Sequence, residues 1–211
     1  MTETQIKLLE AAEFEFAEHG YEGASVRSIT TRAGTNIASV NYHFGSKESL
    51  FIEMIRHRID PLNEERLKLL DAAYARSRKL RLRELIEIII RPLICGLSDA
   101  PHFIRAMGRG LSEENKFMSV LYEDILAEFI TRFHAALAEI LRPLPDLEIN
   151  YCYHFLACTL SGSMHQHRRF EKLIEESRSE DEATATSDRL IDFIVGGIEA
   201  VRDSHDRRQK I

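Results

Sequence analysis

Apolar residues return at helical spacing along most of this chain, and nowhere do they alternate with polar ones over a useful length. Residues 4–19 set the pattern, with Ile6, Leu9, Ala12 and Phe16 on one stripe of an amphipathic helix. His19-Gly20 ends it, because glycine takes the left-handed turn after a helix with little strain. Ser25 can cap a second helix running to about Ala33, and Gly34 closes that one. A very short third helix is predicted from about Ile37 to His43. Gly45-Ser46 then resets the chain, and Ser46 opens a long fourth helix through residue 77. Pro61 lies inside that pattern and predicts a kink or break.

Further helical periodicity occupies 81–97, 100–110 and 113–141. Pro143-Leu144-Pro145 stops the run, and 146–173 resumes it. Glu175 to Asp188 holds no large apolar side chain and reads as a solvated connection. A last helix is predicted over about 186–203, followed by a polar tail to Ile211. The fold class is all-α. Short helices two and three, joined by a tight Gly-containing turn, leave room for a helix-turn-helix within residues 1–50. Residues 51–211 then form a second, helical domain.

Composition narrows this further. Apolar residues make up 44% of the 211 and charged ones 29%, which is ordinary for a globular chain and too apolar for a disordered one. Cys95, Cys152 and Cys158 form no CxxC pair, and an odd cysteine count does not suggest a disulfide scaffold. The start, MTETQIKLLE, carries acids where a secretion signal would carry basic residues. The stretch Ile149–His167 is free of Asp, Glu, Lys and Arg, but its Asn, Gln, Ser, Thr and His residues suit a buried helix better than a membrane span. A cytoplasmic, reduced protein without membrane contact is expected.

The formal charge of −6 argues against a general polyanion binder, yet one window departs from it. From Ser25 to Lys47 there is no acidic residue, while Arg27, Arg32 and Lys47 are basic. Small polar donors and planar rings are interleaved: Ser28, Thr30, Thr35, Asn36, Ser39, Asn41, Tyr42 and His43. Phosphates are held by positive charge and hydroxyl or amide donors, and base edges are read by short polar side chains near a helix N-terminus. A solvated face that merely lacks acids would show the same charge pattern.

The wording of the window goes beyond charge. SVRSITTRAGTNIASVNYHFGSKESLF closely resembles the N-terminal helix-turn-helix of the TetR family of bacterial transcription regulators. Helix one, the Gly20-Tyr21 turn, the Ile29/Ala33/Gly34 frame and YHFGSKESLF stand in the family's order. The resemblance implies that Ile29, Ala33 and Val40 form the core of the head and that Gly34 makes its turn. It implies that the segment Asn36 to Asn41 presents a recognition helix to the major groove, with Ala38, Ser39 and Asn41 nearest the bases. Arg27, Thr35, Tyr42, His43 and Lys47 complete the expected DNA-contacting set, Lys47 at the start of helix four, where free N–H groups also favour an anion. Phe44 is expected to pack inward. Asn41 departs from the aromatic residue common at its position and is suited to bidentate reading of adenine. Thr30 and Thr35 stand where Ala and an apolar residue are frequent, so their hydroxyls need partners.

A recognition helix of about two turns buries too little surface for specific binding alone, so a two-fold homodimer on a palindromic or near-palindromic duplex operator is expected. Ala157, Ser161, Gly162, Gly196 and Gly197 are small residues in the last two long helices, where backbones could approach closely across a dimer axis. The resemblance implies a four-helix bundle there, and packing within one chain is the alternative.

The family usually senses a small molecule in its C-terminal domain. Phe103, Met107, Phe117, Leu121, Tyr122 and Phe155 are candidate lining, although an apolar stripe serves equally as core. Arg105 and Arg109, four apart, could receive an acidic head or pair with Glu113 or Glu114. NYHFGSK, the LPDLE break and the helix after it are similar to a fatty-acid-responsive branch, implying a fatty acyl effector, with an aromatic or cationic compound as the rival. His165 and His167 point to different helix faces and His154 lies three turns earlier, so no metal or other cofactor is expected.

No Gly-rich phosphate loop, nucleophile elbow, HExxH or Glu-x-x-His occurs, and an enzyme is not expected. A helical protein adaptor, or a small-molecule binder without DNA activity, is the competing reading, and the acid-free window favours DNA. The resulting expectation is a repressor in which a ligand shifts helix four, which is continuous with the head, and separates the two recognition helices from successive major grooves.

Overall fold

The structure, a computed structural model, describes residues 1–77, 79–110, 117–174 and 182–209, without the side chains of 110, 117, 118, 164–174, 182 and 183. Among the described residues every regular element is helical. Helix α1 (Glu3–Gly23) starts at a Thr2–Gln5 capping box. Its last turn is broken at Gly20, whose φ of 71° is the left-handed bend expected there. Helices α2 (Val26–Ala33) and α3 (Ile37–Phe44) follow, then α4 (Lys47–Arg76). Leu9, Ala12 and Phe16 are buried as the stripe predicts, but Ile6 is exposed and Leu8 takes its place in the core.

Helix α4 runs through Pro61 without a break. Helices α5 (Leu82–Gly96) and α6 (Pro101–Gly110) sit where periodicity places them, and α5 carries an internal Pro92 as well. The single helix expected over 113–141 is instead α7 (Phe117–Val120), a π-turn (Leu121–Ile125) and α8 (Ala127–Leu141). The Leu126 N–H donates to the Leu121 carbonyl at 2.8 Å, which inserts one extra residue into the helical ladder.

Helix α9 (Asp146–Ile174) buries one face: Ile149, Cys152 and Leu156 are inside, while Tyr151 and Phe155 are half exposed. Helix α10 (Glu182–Gln209) extends beyond the predicted span at both ends. Its C-terminal turns hold polar residues that carry no apolar periodicity, so the sequence pattern gave no sign of them.

Two hydrophobic cores share α4. The first joins α1, α2, α3 and the start of α4 to α6 and the π-turn, through Leu8, Phe16, Ile29, Val40, Leu50, Met54, Phe103 and Leu121. The second joins the end of α4 to α5, α8, α9 and α10, through Leu70, Leu85, Ile86, Phe133, Leu137, Cys152 and Ile191. Between them on α4 lie two buried polar residues, Asn63 and Arg66.

Helix α1 is also the electrostatic hub of the first core. Arg58 of α4 donates from Nε and Nη2 to the nearly buried Glu13 carboxylate at 2.7 and 3.1 Å. Arg32 of α2 donates to Glu15 at 2.8 Å, with its guanidinium 3.4 Å from the centre of the Phe14 ring. Arg105 of α6 pairs with Glu18, and Arg109 donates to the Glu18 carbonyl at 2.7 Å. These bonds occupy the two α6 arginines among the described residues; Glu113 and Glu114, the other partners expected for them, lie outside those residues.

Candidate nucleic-acid interface

Each of the two shortest helices of the head is held at both ends by its own sequence. The Ser25 hydroxyl accepts from the Ser28 N–H at 3.0 Å, and Gly34 closes α2 in the left-handed conformation at φ 66°. The Asn36 side chain accepts from the Ser39 N–H at 3.0 Å, and Gly45 closes α3 at φ 80°. Ser46 caps α4 through the Ser49 N–H at 3.0 Å. Helices of eight residues are marginal in isolation, so these caps and the buried Ile29 and Val40 hold the pair together.

With Val40 inside, α3 turns Ile37, Ala38, Asn41 and Tyr42 outward. Tyr42 is 85% exposed and Ile37 51%. The side chains of Arg27 and Asn41 make no hydrogen bond or ion pair among the described residues, and both are exposed. His43 is half-buried between the Tyr42 and Phe44 rings, and Phe44 packs on the first core as expected. Lys47 is half-buried with its ammonium 4.4 Å from the centre of the Tyr21 ring, which pins it against α1.

Two members of the expected set bond to each other, and a third has its hydroxyl buried. The Asn36 Oδ1 that caps α3 also accepts from the Ser39 hydroxyl at 3.2 Å, so those two polar groups satisfy each other. The Thr35 hydroxyl is buried without a hydrogen-bond partner. Thr30 fares differently: its hydroxyl donates to the Val26 carbonyl at 2.9 Å and contacts that of Arg27 at 3.2 Å. Arg32 is held by Glu15 and Phe14 and Lys47 lies over Tyr21, so Arg27 is the exposed basic residue of the window without a partner among the described residues.

The comparisons bear on this face and on the whole chain. Residues 8–54 match the family described as "Bacterial regulatory proteins, tetR family", and residues 87–197 match "Tetracyclin repressor-like, C-terminal domain". The chain belongs to the TetR family. It is 44% identical over 55 residues to the HTH-type transcriptional repressor AcnR of Corynebacterium glutamicum, a match spanning 26% of this chain and 29% of that repressor. It is 28% identical over 164 residues to the HTH-type transcriptional repressor KstR2 of Mycolicibacterium smegmatis, covering 72% of this chain and 74% of KstR2. The fatty acid degradation regulator FadR from Bacillus halodurans has the same fold, with a TM-score of 0.70 at 16% identity, over 93% of this chain and 97% of that one. FadR from Bacillus subtilis, solved in complex with stearoyl-CoA, superposes with a TM-score of 0.69 at 16% identity, over 91% and 98%. The TetR family and the relatives named here are transcriptional regulators, not enzymes.

In this TetR-family chain the expected effector-lining residues do not form one group. Phe103, Met107 and Leu121 are buried together in the first core. Tyr122 is 39% exposed on the π-turn, and Phe155 is 56% exposed on α9, stacked 5.9 Å from Tyr151. Arg105 is engaged by Glu18. Phe117 belongs to α7, and its side chain lies outside the described ones.

Three of the expected dimer residues, the glycines, face open space. Beyond the helix's own adjoining backbone, no described heavy atom lies within 4 Å of where a Cβ would sit on Gly162, Gly196 or Gly197. Ala157 and Ser161 are half-buried on the same helix as Gly162. Beside them the exposed faces of α9 and α10 carry Tyr151, Phe155 and Phe193, the last 70% exposed.

His154 lies on that α9 face with its Nε2 3.5 Å from the Cys158 sulfur, and the side chains of His165 and His167 lie outside the described ones. No described helix is long and apolar enough to cross a membrane.

Sequence reasoning missed Asn63 and Arg66. The signal was available: Ile59, Asn63, Arg66, Leu70 and Ala73 share one helical stripe, and its two polar members sit in the middle. Next to Glu64, Glu65 and Lys68 they read as part of a solvated face.

Proposed function

We propose that this chain is a homodimeric, ligand-responsive DNA-binding transcriptional regulator, a repressor that a small apolar effector releases from its operator. Residues 1–50 are the DNA-binding head and 51–211 the effector and dimerisation domain. The observation that carries the reading is the outer face of α3: exposed Ala38, Asn41 and Tyr42, flanked by Arg27 and Lys47 in a window without acids. Asn41 and Ala38 meet base edges in the major groove, while Arg27, Tyr42, His43 and Lys47 contact phosphates and the groove rim. Asn36 and Ser39 hold the helix N-terminus, with Thr35, against the backbone.

Two copies pair through α9 and α10, whose outer faces carry exposed aromatic side chains and glycines with open space beside them. The effector is a fatty acyl compound; the stearoyl-CoA bound by Bacillus subtilis FadR supports this class. The protein acts in the cytoplasm, where its operator is.

Coupling runs along two routes. Helix α4 belongs to both cores, and α1 is tied to α6 through Glu18 and through the Phe14–His102 ring contact at 4.9 Å. A ligand that binds one arrangement of these helices better than the other shifts the heads by that difference in affinity. Sequencing the DNA captured by the purified full-length protein tests the reading, with analytical ultracentrifugation for the dimer. An enriched inverted repeat is the expected result. A monomer that ignores every genomic fragment at low ionic strength overturns it.

A further inference from the structure

Arg66 is the most deeply buried cation described in the molecule, only 4% exposed, and no carboxylate pairs with it among the described residues. Its partners are neutral. Nε and Nη2 donate to the Ile89 carbonyl of α5 at 3.2 and 2.9 Å, and Nη1 donates to the Asn63 Oδ1 at 3.3 Å. The guanidinium also lies 4.8 Å from the centre of the Phe129 ring of α8. A guanidinium has five N–H donors, so three bonds leave two without an acceptor among the described residues. Burial lowers the Arg66 pKa to about 10, and the group is therefore still charged at neutral pH.

The protein treats its other buried charges differently. Glu13 is matched by Arg58, and Glu15 by Arg32. A charge taken out of water without a counter-charge is destabilising, and an apolar residue of similar size would serve α4–α5 packing better. A second observation marks the same spot. Asn63, which accepts from Arg66, donates to the Ile125 carbonyl of the π-turn at 3.0 Å. Helical irregularities of this kind are concentrated at functional positions. Helices α4, α5 and α8 and the π-turn thus meet at one uncompensated positive charge set between two apolar cores.

We infer that Arg66 is the charge receptor for the effector, and that the effector is an amphiphile with one anionic head, a carboxylate in its simplest form. The planar guanidinium fork suits two oxygens of one acid group, and the apolar residues on either side suit a hydrocarbon tail. An acid head at Arg66 competes with Asn63 for the guanidinium and so loosens the hold on the π-turn. The inference rests on the ligand-responsive reading above and specifies its ligand.

The test compares dodecanoate with dodecanol, which share a tail and differ in the head, by equilibrium dialysis against the full-length protein below their aggregation limits. The wild type is expected to bind dodecanoate more tightly by about tenfold or more, as a charge-assisted contact in a desolvated site requires. R66M is expected to keep its dodecanol affinity and lose the preference for the acid, and R66K to retain part of it. Equal binding of acid and alcohol by the wild type overturns the inference and leaves an apolar effector standing. A preference that survives in folded R66M also overturns it, making Arg66 a tie between α4 and α5. The wild-type comparison needs no variant, so it decides the matter even if R66M fails to fold. Failure of both probes to bind the wild type instead overturns this apolar-effector reading, and the inference with it.

Discussion

The two cores of this molecule are organised by different means. In the head, α2 and α3 are eight residues each, capped by Ser25 and Asn36 and closed by glycines with positive φ, and ion pairs tie α2 and α4 to α1. In the second core α5 and α8 begin without a side-chain cap, and the helices are held by stacked apolar faces such as Leu85, Ile86, Phe133 and Leu137. The head is held by local bonding and presents a small polar face. The second core is held by apolar packing, and its outer helices carry exposed aromatic side chains. A DNA reader needs the first kind of construction, since base readout depends on fixed donors. A domain that must repack around an effector needs the second.

Substitutions can break or sharpen this contrast. The largest effect is expected from Phe133→Ala, which empties a fully enclosed site and should destabilise the protein by about 3–5 kcal/mol in urea unfolding. A much smaller loss would mean that the second core is already loose there. Next comes the outer face of α3. Asn41→Ala should relax base choice at one operator position by roughly 1–3 kcal/mol, measured by competition between operator variants, with stability unchanged. Lys47→Ala should weaken all duplexes alike and lower the slope of log affinity against log salt by about one.

Removing the α2 cap with Ser25→Ala should take about 1 kcal/mol from thermal stability and, if the head is built locally, should impair DNA binding before it disturbs the second core. The smallest effect concerns pH. Burial alone would raise the Glu15 carboxyl, but hydrogen bonds from Arg32 and Ser28 and the nearby charges of Arg32 and His19 outweigh it and hold the group below the ordinary carboxylate range. A depressed folded value means a stabilisation that is present at neutral pH and disappears as pH falls through that value. Glu15→Gln should flatten the acid limb of the stability profile over that interval and leave the neutral region least pH-dependent.

The head was largely legible from sequence because its signals are local. Ser25, Gly34 and Gly45-Ser46 sit within a few residues of the backbone groups they satisfy, and the structure uses each of them as the pattern predicts. Less legible was which polar residues would remain free. Asn36 and Ser39 bond to each other, because capping a short helix takes the donors and acceptors nearest its start, and the Thr35 hydroxyl is buried without a partner. In the rest of the chain periodicity located helices but not their irregularities. The π-turn at Leu121–Ile125 has no proline or glycine to announce it, and Phe103, Met107 and Leu121 read equally well as lining or core.

Local chemistry along the chain was therefore enough to determine an all-helical fold, a capped two-helix head and an acid-free window across it, since caps, turns and apolar stripes act over a few residues. Only the tertiary structure decided that Glu13, Glu15 and Glu18 would bind α1 to three different helices, that α9 would leave an aromatic face open, and that Arg66 would be buried without a carboxylate among the described residues. Those outcomes depend on which distant side chains meet, and a charge's worth in a protein is set by the dielectric and the partner it finds there, neither of which is written beside it in the chain.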